Sequence, residues 1–296
     1  MIAIEKSGYV AIVGRPNVGK STLLNALVGE KVSITSDKPQ TTRWQIMGIN
    51  NVGDCQIVYI DTPGMHRGEK RAMNRYLNRL ADGVLPDADM IVFMVEANRW
   101  DSEDQMVLDK IARVDKPVIL VINKIDLLKT KADILPVIEQ LKNKFAFVHI
   151  IPMSAAENEN TNALEAEIVK LLPEGPPLFP EDQVTDKSLQ FQIAEIVREK
   201  LIQVTEEELP YTTAVEIEQY KEDDKLIEIG VVIWVERHGQ KVIIIGAKGA
   251  RLKKIGIQAR REIEKLVDKK VFLRLWVKIK ENWTDDENAL RSFGYE

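Results

Sequence analysis

The chain has 296 residues, 45% of them hydrophobic, and 41 Lys+Arg against 46 Asp+Glu give it a net charge of −5. That length supports two ordinary domains, the charge announces no nucleic acid, and a single cysteine, Cys55, excludes an internal disulfide or a thiol-rich zinc site. His66, His149 and His238 have no metal-ligand spacing, Met1–Lys6 is no signal peptide, and apolar runs such as Met90–Val95 fall far short of the roughly 20 residues that cross a bilayer, so a reducing, cytoplasmic compartment is expected.

The first half reads as alternating strands and helices. Tyr9–Val13 is a β-rich run ending at a glycine loop, and Ser21–Gly29 continues with helical spacing of Leu23, Leu24 and Leu27. Arg43–Asn50 and Gln56–Asp61 flank a turn and predict a hairpin. Met90–Val95 and Pro117–Asn123 read as buried strands around a helix over Ser102–Arg113, followed by a strand at Val148–Pro152 and a helix at Asn162–Leu172. This alternation predicts an α/β domain over 1–172 with a mixed, mostly parallel sheet covered by helices on both faces.

Residues 173–180 hold four prolines in eight positions and predict a linker over 173–183. Beyond it, over 184–296, the pattern is that of a small α+β domain. It has an amphipathic helix at Leu189–Thr205, β-rich segments at Thr213–Tyr220 and Lys225–Glu236, a helix over Lys248–Asp268 and an alternating strand at Val271–Lys280. Residues 241–280 carry 13 Lys+Arg against 3 Asp+Glu, so a net +10 there leaves −15 for the rest: the overall charge conceals one basic surface.

Gly14-Arg15-Pro16-Asn17-Val18-Gly19-Lys20-Ser21, followed by Thr22, matches G-x-x-x-x-G-K-[ST] between a strand and a helix. Glycines let backbone N–H groups surround phosphate oxygens, the helix N-terminus adds positive potential, Lys20 reaches the β- and γ-phosphates, and the Ser21 hydroxyl suits magnesium. Asp61-Thr62-Pro63-Gly64 ends the second strand of the hairpin, where a carboxylate can hold the magnesium shell and the Gly64 N–H can meet a γ-phosphate. Asn123-Lys124-Ile125-Asp126 follows an apolar strand. Asp126 can accept from guanine N1–H and the 2-amino group, donors that adenine lacks, while Asn123 can reach the other purine edge and the Lys124 stem can lie over the ring. Ser154-Ala155 would bring a backbone N–H to guanine O6. In the basic region, Gly246-Ala247-Lys248-Gly249 is a G-x-x-G read between a strand and a helix, beside Arg251, Lys253 and Lys254, where a nucleic-acid backbone can approach closely. Ile255, Ile257 and Ile263 are candidates for an apolar groove or for core, and a basic helix of this kind also suits an acidic membrane surface.

The four nucleotide elements together resemble the Ras-like, translation-factor-related GTPases, and the second domain resembles a type II KH domain, whose GXXG loop clamps single-stranded RNA. The combination of GRPNVGKS, QTTR, DTPG, NKID and GAKG resembles the Era-type GTPases of bacterial ribosome assembly over nearly the whole chain. That resemblance implies a slow GTPase that binds GTP or GDP with Mg²⁺, recognises the 3′ end of 16S ribosomal RNA and acts in small (30S) subunit biogenesis, with a link to cell growth and division. It also implies peripheral contact with the cytoplasmic face of the inner membrane. By it, Gln40-Thr41-Thr42-Arg43 is the first switch; either threonine can complete the magnesium shell, and Thr42 is chosen. Lys20, Thr42 and Gly64 are then the catalytic set, and Ser21, Thr42 and Asp61 the metal set. Met65 stands where many relatives place a water-orienting glutamine, His66 is a weak substitute, and Asn17 is a candidate for coordinating K⁺. A monomer is the default, and the competing expectation is a constitutive RNA-binding protein whose nucleotide site is structural.

Overall fold

In the computed structural model, which describes residues 4–38, 40–65, 72–205 and 212–295, the chain divides into two compact units. One comprises Met1–Ser33, Thr42–Gly68 and Leu77–Asp186; the other comprises Ile34–Thr41, Glu69–Tyr76 and Lys187–Glu296.

The first unit runs β1 (Lys6–Val13), α1 (Lys20–Val28), β2 (Ile46–Val52), β3 (Cys55–Asp61), α2 (Ala72–Asp87), β4 (Met90–Glu96), α3 (Ser102–Ile111), β5 (Val118–Asn123), α4 (Ile134–Leu141), β6 (His149–Pro152) and α5 (Thr161–Leu171), with the first residues of α2 counted in the second unit. Six strands lie in the order β2-β3-β1-β4-β5-β6; β2 is antiparallel to β3 and all other pairs are parallel. The central strands are covered on both faces, so β4 and β5 read as unbroken apolar runs: Met90–Val95 and Ile119–Ile122 have no exposed surface. The loops at the carboxyl ends of β1, β3, β5 and β6 carry the four predicted nucleotide elements, where open parallel sheets place ligands.

The proline-rich stretch is not a free linker. Gly175 donates to Glu5 O at 3.0 Å, the Ser7 hydroxyl to Pro176 O at 2.6 Å, and Ile49 N to Val184 O at 2.9 Å. Residues 173–186 therefore strap the first unit and cover the outer edge of β2, a role prolines tolerate because an edge cover needs few donors of its own. The buried Gln56 side chain in β3 holds the middle of the strap: its Oε1 accepts from Leu178 N at 2.7 Å and Phe179 N at 2.8 Å, and its Nε2 donates to Phe179 O at 2.9 Å.

The second unit has α6 (Leu189–Val204), β7 (Thr213–Glu222), β8 (Leu226–Val235), α7 (His238–Ile245), α8 (Ala250–Val267), β9 (Lys270–Ile279) and α9 (Glu287–Ser292). β7 pairs antiparallel and β9 parallel with β8, the α-β-β-α-α-β arrangement of a type II KH domain. Its core joins Ile193, Val197 and Leu201 of α6 to Ile255, Ala259 and Ile263 of α8 and to the inner face of β8. Trp283 has no exposed surface and contacts Phe293 edge-on at 5.2 Å and Tyr295 in a stack at 6.1 Å, so the C-terminal aromatics are core.

Two differences from the sequence reading stand out. Ile243–Ile245, the strand expected before the G-x-x-G, lies in α7, because the Gln240 carboxamide accepts from Glu236 N and Arg237 N at 2.9 Å and starts a helix that only Gly246 ends. Residues 34–41, assigned to the first domain, belong to the second unit. Thr35 N donates to Glu199 at 3.1 Å, Lys38 caps the C-terminal carbonyls of α6 at Ile202 (3.0 Å) and Thr205, and Arg198 donates to Thr41 O.

Replacing Gln56 with Ala leaves three strap groups without partners and is expected to lower unfolding free energy by about 2 kcal/mol. Urea denaturation checks the magnitude; proteolytic cleavage should also appear first near Leu178, and resistance equal to wild type would show that the strap is held by other bonds.

Candidate nucleotide-binding site and nucleic-acid interface

The loop Gly14–Gly19 leaves β1 and turns into α1 under strict geometric limits. A Cβ on Gly14 would lie 2.5 Å from Met94 O, and one on Gly19 would lie 2.4 Å from the Asn123 amide nitrogen; Gly19 also has φ +105° and caps α1. Asn17 takes the left-handed conformation at φ +64°. Lys20 is buried, and its ammonium donates to Gly14 O at 3.1 Å and Arg15 O at 3.0 Å, so the loop curls around it. Burial, partly offset by Asp61, pulls the Lys20 pKa down to about 8. Val18 is core, while Pro16 and Thr22 are half-buried. The Arg15 side chain does not face the loop's interior: it pairs with Glu96 and lies 3.3 Å from Asp104.

Beneath that loop the hydroxyl of Ser21 donates to Asp61 Oδ2 at 2.6 Å and lies 2.8 Å from Thr42 Oγ1, and Ser33 donates to the same carboxylate oxygen at 3.0 Å. Asp61 Oδ1 is buried with no hydrogen-bond partner, and burial pushes its carboxyl above the usual range against the pull of Lys20 and the two serines. Thr41, the other switch threonine, turns its hydroxyl to Lys38 O at 2.7 Å. Thr62 donates to Ile12 O at 3.1 Å and Pro63 is buried. Gly64 sits so near Pro16 that a Cβ would lie 2.7 Å from its backbone nitrogen. The Met65 side chain is fully buried in the core with Ala11, Val13 and Ile60, so the predicted nucleotide contact at this position is not made by its thioether. His66 lies outside the described residues.

The base motif differs from expectation at Ser154-Ala155. The Asn123 amide braces the protein and keeps one donor in hand: one Nδ2 hydrogen goes to Val18 O at 2.7 Å and Oδ1 accepts from Ala155 N at 2.9 Å, while the second Nδ2 hydrogen has no partner among the described residues. Ser154 N donates to Glu159 O at 3.1 Å, so both N–H groups of Ser154-Ala155 are engaged within the protein. Asp126 is exposed and without a hydrogen-bond partner among the described residues, Lys124 stands at φ +64° with its ammonium on Glu96, and Ile125 is half-buried with its N–H on Met153 O at 3.3 Å. Ser33 and Glu96 went unread in the sequence, since neither falls in a recognisable spacing.

In the second unit Gly246, Lys248 and Gly249 have φ of +71°, +50° and +78°, a tight loop joining α7 to α8. A Cβ on Gly246 would lie 2.8 Å from Arg251 Cβ, whereas Gly249 faces open space. Ala247, Lys248, Lys253 and Lys254 are exposed; Arg251 is half-buried and donates to Ile243 O at 2.6 Å. Ile255 and Ile263 are core, and Ile257 is 38% exposed. The apolar surface beside the loop also includes Val242 and Ile243, 55% and 46% exposed, which the sequence reading did not single out. Among the described residues no helix is long and apolar enough to cross a membrane, and no three His, Cys, Asp or Glu side chains form a metal cluster.

Residues 9–124 match the family described as 50S ribosome-binding GTPase, and residues 208–284 match the KH domain family. The chain is 51% identical over 289 residues to GTPase Era of Coxiella burnetii, covering 98% of both chains, and 51% identical over 290 residues to GTPase Era of Pseudomonas entomophila, covering 98% of this chain and 97% of that one. Two solved structures, Aquifex aeolicus Era bound to GDP·AlF4⁻ and an Era complex with MgGDPNP and nucleotides 1506–1542 of 16S ribosomal RNA, each share 44% identity with it at a TM-score of 0.95, covering 98% of this chain and 99% of theirs. A glycine-bound phosphate loop above a Ser-Thr-Asp cluster, in one chain with a type II KH unit, thus meets relatives that match from end to end, and the chain belongs to the Era family of GTPases.

Proposed function

We propose that this chain binds GTP with Mg²⁺, hydrolyses it, and uses its KH unit to hold the single-stranded 3′ end of 16S ribosomal RNA during assembly of the small (30S) subunit in the cytoplasm. The observation that carries the nucleotide half is the cluster of Ser21, Thr42 and Asp61: two hydroxyls and a buried carboxylate with an orphaned oxygen are a hard-oxygen donor set of the kind Mg²⁺ takes. Bound there, the ion would neutralise charge on the β- and γ-phosphates. Lys20 supplies a fixed positive charge to the same phosphates, Gly64 brings its N–H close to the phosphate loop, and Asp126 selects guanine. Asn123 braces the loops through Val18 and Ala155, and its second amide hydrogen can meet the purine edge. With Met65 in the core, the attacking water is not held by a side chain at that position, and intrinsic turnover is slow. Asn17, held at positive φ inside the loop, is the residue through which K⁺ would act.

For the RNA half, the exposed Ala247-Lys248 tip lets a phosphodiester backbone approach, Lys253 and Lys254 supply charge, and Val242, Ile243 and Ile257 offer apolar surface to unstacked bases. The same basic α8 is the surface through which the chain, as a monomer, would touch the acidic inner membrane.

The deciding experiment is GTP turnover with and without a single-stranded RNA matching the 16S 3′ end. Stimulation is expected; RNA that binds without changing turnover or GTP affinity would reduce the protein to two independent modules. Lys20→Ala is expected to weaken GTP binding at least about tenfold and abolish turnover. Gly64→Ala, which forces a methyl into Pro16, should lose turnover while retaining GDP binding, as single-turnover assays can show. Replacing K⁺ with Na⁺ should slow hydrolysis; an equal rate removes Asn17 from the mechanism. For RNA, Lys253→Ala with Lys254→Ala should flatten the plot of log affinity against log salt by roughly 0.7 per lysine.

A further inference from the structure

At the base of the nucleotide site a single carboxylate is shared by two cations from different motifs. Glu96, the last residue of β4, pairs opposite Asn123 of β5. Its Oε2 receives Arg15 of the phosphate loop and its Oε1 receives Lys124 of the base motif, and the Glu96 side chain is only 12% exposed. Arg15 is itself fixed from the other side. Its Nε lies 3.3 Å from Asp104 and 3.9 Å from Asp101, whose carboxylates form the reciprocal cap that opens α3, and Arg99 balances Asp101 at 2.7 Å. The cluster therefore holds three cations against three carboxylates, and Lys124 is its member from the base motif.

We infer that Glu96 is a positioning residue for guanine recognition: held in place by Arg15, it anchors the Lys124 ammonium so that the aliphatic stem lies ready to cover the base. The inference deepens the nucleotide reading above and rests on it. A lysine in solvent loses much rotamer freedom when a ligand orders its stem; a lysine already tethered at its far end has lost it beforehand. The local backbone supports the tether, since Lys124 sits at φ +64° between Asn123, which is bolted to Val18 and Ala155, and the exposed Asp126. Burial works against ionisation of Glu96, but the hydrogen bonds from Lys124 and Arg15 prevail and hold its carboxyl below the usual range, so the anchor is charged at neutral pH.

The test is a double-mutant cycle on the full chain, read as Kd for GDP and for a non-hydrolysable GTP analogue. Glu96→Gln keeps the shape and removes the charge, and is expected to raise both Kd values by the same factor, about tenfold, with KM following and kcat unchanged. On a Lys124→Met background the same change should have no further effect. A loss that persists on that background, or one that falls on the triphosphate alone, would place the action of Glu96 in the phosphate loop and overturn the inference. Glu96→Asp keeps the cluster's charge while shortening the reach, which guards against misfolding, and it should still raise both Kd values; a folded variant of either kind that binds like wild type also overturns it. If wild-type protein binds no guanine nucleotide at all, the proposed function fails instead, a result distinct from any outcome of the cycle.

Discussion

Everything at the nucleotide site leans on the two hydrogen bonds of one buried amide. Asn123 closes β5 and uses its side chain to hold the carbonyl of Val18 and the N–H of Ala155, so three loops that are far apart in sequence become one rigid mouth. The bond to Val18 also explains why position 19 is glycine, since no other residue fits against that amide nitrogen at φ +105°. Loss of the amide would free the phosphate loop and the loop after β6 together. The effect would not be confined to the base.

Next to this brace sits a group that the fold leaves incomplete. Asp61 collects Ser21 and Ser33 on one carboxylate oxygen and has nothing on the other, in a place where burial already disfavours its charge. Such an arrangement costs stability unless a cation completes it. The same reasoning assigns Lys20, whose ammonium is held by two carbonyls at a depressed pKa until an anion arrives. The site is therefore preorganised in charge as well as in shape, with one unsatisfied negative group and one poorly stabilised positive group set close together.

How much of this could be read from the sequence follows from the length scale of each feature. The phosphate loop, the Asp61 turn, Asn123–Asp126 and the GXXG loop are short runs whose residues act through their own backbone or side chains, so their spacing, their order along the chain and their neighbours made them legible. What spacing does not carry is the identity of partners. That Asn123 faces Val18 and Ala155, that Arg15 points to Glu96 and Asp104, and that Met65 is core are facts about residues about 30 to 100 positions away. Helices were also missed. α2, which carries Gly83 and Pro86 within it, has no counterpart in the sequence reading, and α7 is built from residues that favour strands but is started by the Gln240 side chain. The proline-rich strap was misread because prolines were taken to mark separation, when their carbonyls remain good acceptors for Ser7 and its neighbours.

The adjacent threonines Thr41 and Thr42 show how finely duties divide along one short segment. Thr42 sends its hydroxyl to Ser21 and belongs to the first unit; Thr41 turns its own back to Lys38 and gives its carbonyl to Arg198, within the second. Arg198 is almost wholly buried and is gripped by both oxygens of Glu195 at 2.7 Å, so the carbonyl it holds has little freedom to move independently of α6. One peptide bond thus separates a residue fixed by the Ser21–Asp61 cluster from a residue fixed by the first helix of the KH unit.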